Sequence, residues 1–292
     1  MAGPTAVGKT DLCINLAKKF NTTIISADSR QFYKEINIGT AKPTKAELAE
    51  VQHHFIDTLS IHEDYDVGKF ETDALQLLDK LFLHVDLIIM TGGSGLYLDA
   101  VTKGFDDMPA VDPAVRALLN ANYEKEGLLS LQQKLLEVDP AYYEKVDLNN
   151  PQRLIRALEV YHSSGKPYSS FRQQQINPRP FDILKIALER DREELYGRID
   201  RRMDQMIAEG LFEEATALYP HRSHNALQTV GYKEIFGYID GEYDKAEAIR
   251  LLKRNSRRYA KRQMTWFRKD EAYRWFHPSQ TQEIIKYISD SL

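Results

Sequence analysis

The spacing of apolar and polar residues changes character twice along the chain. Over residues 1–105, short apolar or β-branched runs alternate with stretches of helical spacing. Asp11 to Phe20 reads as a helix, with Asp11 in the first turn, where a carboxylate suits the helix dipole. Thr22–Ser26 is a short β-branched run and predicts a buried strand. Lys45–Val51 and Val67–Leu83 have helical spacing, and Val85–Met90 predicts a second strand, closed by Thr91-Gly92-Gly93. Strands and helices alternating at this rhythm imply a parallel sheet covered on both faces. From Pro109 the pattern is helical only. Asp112-Pro113 supplies an N-cap and a proline at the first helical position, and Asn150-Pro151 repeats that signal before Gly165 closes the helix. Lys166 to Pro180 is polar and proline-bearing and predicts a loop. Ile183–Leu188 restores a strand. Asp191 with Glu194 predicts a reciprocal cap opening a helix that ends near Gly210, and the last long helix is expected from Asp244 to Phe267. The expected class is α/β: a core over 1–108, an all-helical insert over 109–180, and the core resumed over 181–292.

Composition narrows this only a little. A chain of 292 residues fits one large domain or a domain carrying an insert. No run of about 18 apolar residues exists to span a membrane, and no secretory signal is visible. The single cysteine, Cys13, excludes an intrachain disulfide and a cysteine-based zinc site, and fits the reducing cytoplasm. The net charge of −4 argues against a nucleic-acid binder, but its distribution does not. Between Arg250 and Lys269 the chain carries Lys253, Arg254, Arg257, Arg258, Lys261, Arg262 and Arg268 with no Asp or Glu among them. Such a stretch either meets an anionic partner or is a solvated helix face.

Chemistry enters at the N-terminus. Gly3-Pro4-Thr5-Ala6-Val7-Gly8-Lys9-Thr10 fits G-x-x-x-x-G-K-[ST], a P-loop. Glycines let the backbone wrap so that its N–H groups meet phosphate oxygens, and the helix near Asp11 adds its N-terminal dipole. Lys9 supplies a full charge and Thr10 a hydroxyl for Mg²⁺. The core is therefore expected to be P-loop NTPase-like. A P-loop follows a buried strand, yet only Met1 and Ala2 precede Gly3, so the first core strand is expected to be missing. An extension by about six apolar residues is expected to raise stability and activity. The strand Val85–Met90 does not end in Asp, which weakens an ATP-hydrolysing motor or switch. Asp28 follows the second strand, at the sheet edge where ligands bind; it either works chemically or caps the next turn.

Seven segments, in order, resemble the tRNA dimethylallyltransferases. They are Gly3–Thr10; Asp28-Ser29-Arg30-Gln31 with Phe32-Tyr33; Ile38-Gly39-Thr40-Ala41-Lys42-Pro43; Gly92-Gly93-Ser94-Gly95-Leu96-Tyr97; Asn150-Pro151-Gln152-Arg153-Leu154-Ile155-Arg156-Ala157-Leu158-Glu159; Val230-Gly231-Tyr232-Lys233-Glu234; and Lys261-Arg262-Gln263-Met264-Thr265-Trp266. The resemblance implies transfer of a dimethylallyl group from dimethylallyl diphosphate to N6 of the adenosine 3′ of the anticodon. The P-loop would then hold a prenyl diphosphate rather than ATP, with Mg²⁺ on Thr10. Asp28 is placed to accept the N6 proton, and the resemblance puts Thr5 and Arg202 at the reacting centre. It assigns Asp28, Ser29, Arg30, Gln31, Ser94, Arg116 and the segment Gln152, Arg153, Leu154, Ile155, Arg156 to tRNA, with the insert gripping the anticodon stem. A cytoplasmic monomer that binds no membrane is expected.

Other readings compete. Arg198 shares a helix face with Arg202 and reads as half of a surface salt bridge, beside a buried stripe of Leu195, Ile199, Met203 and Met206. His53-His54 reads as structural rather than metal-binding, and Trp266 as packing the last helix onto the core. A small-molecule kinase predicts ATP consumption without tRNA. An RNA-binding module with a vestigial P-loop predicts tRNA binding without product.

Overall fold

The computed structural model describes residues 1–106, 108–172 and 177–292. It divides into two units: Met1–Thr102 together with Arg179–Leu292, and Lys103–Pro178. The predicted loop Lys166–Pro180 lies partly outside the described residues, and its first part forms a helical turn at Tyr168–Phe171.

The first unit is built on parallel strands. Helix α1 (Lys9–Lys19) leads to β1 (Ile24–Ser26), then α2 (Lys45–Glu50), β2 (His53–His54), α3 (Val67–Leu81), β3 (Ile89–Thr91) and α4 (Gly95–Lys103). The strand order is β2-β1-β3, with Ile24 opposite both His53 and Ile89. His53 and His54 form an edge strand too short for periodicity to reveal, and His53 also lines the cleft beside Lys9 and Asp28. The predicted strand at Val85–Met90 is confined to its last residues and Thr91, because Asp86 breaks its apolar run. Ala2 bridges in parallel to Gly92 on one side and Ala187 on the other. Its N–H donates to the Ile186 carbonyl at 2.8 Å and its carbonyl accepts from Leu188 at 2.9 Å. Ala2 therefore stands where the strand before a P-loop stands.

The helices of the second unit are α5 (Pro113–Glu126), α6 (Leu128–Val138), α7 (Pro140–Tyr143), α8 (Pro151–Ser164) and α9 (Tyr168–Phe171). Their starts are written locally. Asp112 accepts from the Ala114 amide at 2.8 Å and Asn150 from the Arg153 amide at 3.3 Å, each followed by proline. Leu119, Leu131, Leu135, Leu154, Ile155 and Leu158 form the core of this unit.

The first unit then resumes with β4 (Ile186–Leu188), α10 (Arg192–Ala208), α11 (Leu211–Leu218), α12 (Tyr232–Ile239), α13 (Lys245–Phe267), β5 (Arg274–Phe276) and α14 (Thr281–Ser289). β4 and β5 pair in parallel, Ile186 opposite Arg274. Leu195, Ile199, Met203 and Met206 are buried along α10, as their spacing predicts. The reciprocal cap predicted at its start is absent. Asp191 makes no side-chain cap, because Glu194 is drawn away to Arg190 and His277. Since these strands are parallel, their carboxyl ends share one edge. Gly3, Asp28, Ser94, Arg190 and His277 all emerge there.

Candidate active site

The P-loop runs from the bridge at Ala2 into α1. Gly8 sits at φ 109°, and no side chain caps α1. Its first amides are thereby left for an anion, as helix N-termini allow. The Lys9 ammonium donates to the carbonyls of Gly3 and Pro4, both at 2.9 Å. Burial pushes the Lys9 pKa down to about 8; Asp28 opposes that shift and Arg202 adds to it. Three arginines hold the loop from outside. Arg190 donates to the Val7 carbonyl at 2.8 Å, and Arg198 to the Ala6 carbonyl at 2.8 Å. Arg202 reaches the Thr5 hydroxyl at 3.5 Å. Burial lowers the Arg202 pKa, while Asp28 favours its charged form. Arg198 is therefore a loop brace and not half of a surface salt bridge. Its acceptor lies 192 residues away in sequence.

Asp28 caps the turn and also faces a cleft. One carboxylate oxygen accepts the Arg30 amide at 3.0 Å, capping the turn after β1. The residue also lines a narrow cleft with Lys9, Thr10, Ser26, Gln31 and Thr91. Ser29 and Ser94 meet across this edge, hydroxyl to hydroxyl at 3.3 Å, with the Ser29 amide donating to Ser94 at 3.2 Å.

Helix α13 supplies three further side chains. Tyr259 lies beside Ser94 and Asp28; burial, followed by Asp28, pushes its pKa up to about 12. Gln263, buried four residues on, accepts the Thr5 amide at 2.8 Å and donates to the Gly93 carbonyl at 2.9 Å. Trp266 donates to Asp99 at 2.9 Å. A Cβ on Gly93 would meet Gln263 at 2.2 Å, and one on Gly95 would meet Trp266 at 2.3 Å. Gly93 and Gly95 thus admit α13. Trp266, expected to pack the helix onto the core, instead lies partly exposed against Gly95 and Asp99 of α4. No role was predicted for Tyr259; its four-residue spacing to Gln263 was the available signal.

Several signature residues also make scaffold contacts. Gln31 accepts from Ser26 at 3.1 Å and donates to the Thr40 and Ala41 carbonyls at 3.3 and 3.2 Å. The Glu214 carboxylate collects the amides of Asn37, Ile38 and Gly39 and the Tyr232 hydroxyl. This explains why Ile38, Gly39 and Tyr232 are distinctive away from the cleft, whereas Pro43 at the end of the first segment lines it. Arg30 donates to the Asn225 carbonyl at 3.0 Å.

The basic stretch is partly spent inside the first unit. Arg250 pairs with Glu247, Lys253 with Asp204, Arg257 with Asp200 and Arg268 with Glu189. Lys261 and Arg268 line a cleft of about 640 Å³ with Arg190, Arg192, Tyr196 and Trp275. Arg190 joins that cleft to the P-loop.

In the second unit, Gln152 and Arg153 are exposed on α8. Arg156 and Arg116 converge on the buried Glu159 at 2.6 and 3.5 Å. Leu154 and Ile155, which the resemblance assigned to tRNA, are fully buried in the core of this unit. Their side chains face away from any RNA, because one helix turn cannot point all five residues outward.

A P-loop at the carboxyl edge of a parallel sheet, faced by a carboxylate and ringed with cations, defines a phosphate-handling α/β enzyme. The family model for IPP transferases matches residues 31–270. A tRNA dimethylallyltransferase of Cytophaga hutchinsonii is 53% identical over 292 residues, covering 100% of this chain and 96% of the relative. One from Bacteroides fragilis is 52% identical over 292 residues, covering 100% and 97%. The crystal structure of a tRNA isopentenylpyrophosphate transferase from Bacillus halodurans superposes with a TM-score of 0.73 at 38% identity, covering 99% of this chain and 94% of that one. The chain belongs to the IPP transferase family.

Proposed function

We propose that the enzyme transfers a dimethylallyl group from dimethylallyl diphosphate to N6 of the adenosine 3′-adjacent to the anticodon of tRNA, releasing diphosphate. One observation carries the reading: Lys9, Thr10 and Asp28 line a single cleft beneath the P-loop. The exocyclic amine of adenine is a poor nucleophile, and the allylic carbon parts only from a neutralised diphosphate. Lys9, the loop amides and Arg202 bind that diphosphate, with the Thr5 hydroxyl beside Arg202. As the N6 lone pair forms a bond to the allylic carbon, the carbon–oxygen bond breaks and its electron pair leaves with diphosphate. The N6 proton passes to the Asp28 carboxylate.

The Thr10 hydroxyl offers an oxygen donor in this cleft, which suits Mg²⁺. Thr10 would hold the ion, which when bound neutralises phosphate charge. Gln152, Arg153, Arg156 and Arg116 serve the anticodon stem from the insert, and Ser29, Arg30 and Ser94 the arriving nucleotide. Flipping the base from a loop costs only a few kcal/mol. The enzyme works as a monomer in the cytoplasm. Among the described residues no helix is long and apolar enough to cross a membrane.

The test is a mass gain on unmodified tRNA incubated with enzyme, dimethylallyl diphosphate and Mg²⁺. Asp28→Ala is expected to lower the rate about 10²-fold or more. A variant working at nearly the parent rate would remove Asp28 from the chemistry.

A further inference from the structure

Three histidines outside the candidate active site come together from two loops. His62 follows β2, while His221 and His224 flank a single turn between α11 and α12. One ring nitrogen from each lies within 4.8 Å of the other two. The His62 ring stands edge-on to both partners, with centroids 4.9 Å from His221 and 4.8 Å from His224. His62 is exposed and the other two are half-buried. Among the described residues, no hydrogen bond reaches any of the six ring nitrogens. Their lone pairs are unspent.

Both backbones that carry these rings are anchored. The Glu35 carboxylate takes the Ser60 hydroxyl at 2.6 Å and the Ile61 amide at 3.0 Å, and Ile61 is buried. On the other side, the His224 amide donates to the His221 carbonyl at 2.9 Å. The Leu227 amide donates to His224 at 3.0 Å, with Ala226 and Leu227 in the core. The three rings thus project from anchored backbones.

We propose that His62, His221 and His224 bind one zinc(II) ion. Tetrahedral zinc at about 2.0–2.1 Å from each nitrogen requires ligand atoms roughly 3.4 Å apart. A side-chain shift of roughly 1 Å, which the exposed His62 can make, closes the present spread. An all-imidazole set suits zinc and its borderline neighbours, and lacks the oxygen donors that Mg²⁺ and Ca²⁺ require. The fourth position falls to water. The ion would clip the loop carrying His62 to the turn carrying His224. That turn includes Asn225, whose carbonyl holds Arg30. The clip would thereby steady one of the side chains assigned above to tRNA.

The experiment uses untagged full-length protein, stripped with chelator and titrated with zinc chloride by calorimetry. Cobalt(II) absorption serves as an independent reading of the ligand geometry. One equivalent is expected to bind with a dissociation constant at or below about 10 µM and to raise the melting temperature. His62→Ala and His224→Ala should each weaken binding by about 10²-fold or more and abolish the zinc-dependent rise. Without zinc the melting temperature of His62→Ala should equal the parent's, since His62 is exposed. Parent-like zinc affinity in both variants, or no binding by the parent below about 100 µM, overturns the proposal.

Discussion

The P-loop edge and the helical insert both gather cations, but they hold them on different kinds of acceptor. At the P-loop, Lys9 and Arg198 donate to main-chain carbonyls of the loop itself. In the insert, Arg116 and Arg156 share the carboxylate of Glu159. A carbonyl fixes a cation in place and leaves its charge uncompensated, whereas a carboxylate cancels much of it. The first arrangement is prepared for an anionic ligand. The second is chiefly an anchor for α8, leaving Gln152 and Arg153 as its exposed polar face.

The sharpest challenge to this contrast is removal of one cation from each region. Lys9→Met is expected to lower kcat/KM for the prenyl diphosphate by about 10²–10³-fold. Arg156→Met should leave that constant unchanged and act only through tRNA. Steady-state kinetics with each substrate varied in turn checks both, and equal losses for the two variants would break the contrast. Within the insert, Leu154→Ala should cost about 3 kcal/mol by cavity formation, read from denaturant unfolding. Gln152→Ala, two residues away, should stay within about 0.5 kcal/mol and raise KM for tRNA. Similar stabilities for these two variants would restore Leu154 to the surface.

The smallest effect concerns pH. Burial holds Lys9 at about 8, so the ammonium is charged below that pH and neutral above it. kcat/KM for the diphosphate should be level below about pH 7, about half its plateau at pH 8, and fall about tenfold per unit beyond about pH 9. Lys9→Arg should flatten this limb, because guanidinium stays charged. A limb that survives in Lys9→Arg assigns it to another group.

Much of the site was legible because its determinants are contiguous. Eight neighbouring residues suffice for a phosphate loop, and Asp112-Pro113 and Asn150-Pro151 start helices whatever surrounds them. Helix phase along α10 also showed its buried stripe. What stayed hidden were partners distant in sequence. Gln263 meets Thr5 across 258 residues, and Arg198 meets Ala6 across 192. No local pattern marks a carbonyl as the target of an arginine. β2 spans two residues, too few for any period to register.

Read alone, the chain determined its alternation of strand and helix, its helical insert and the identity of its phosphate loop. Each follows from local physics: hydrophobic period, capping and backbone freedom at glycine. Only the tertiary structure decided that Asp28 both caps a turn and lines the cleft, that Leu154 and Ile155 belong to a core, and that three separate histidines meet. Those outcomes depend on which surfaces pack together. Packing is a competition among all burial partners at once, and no short stretch of residues contains it.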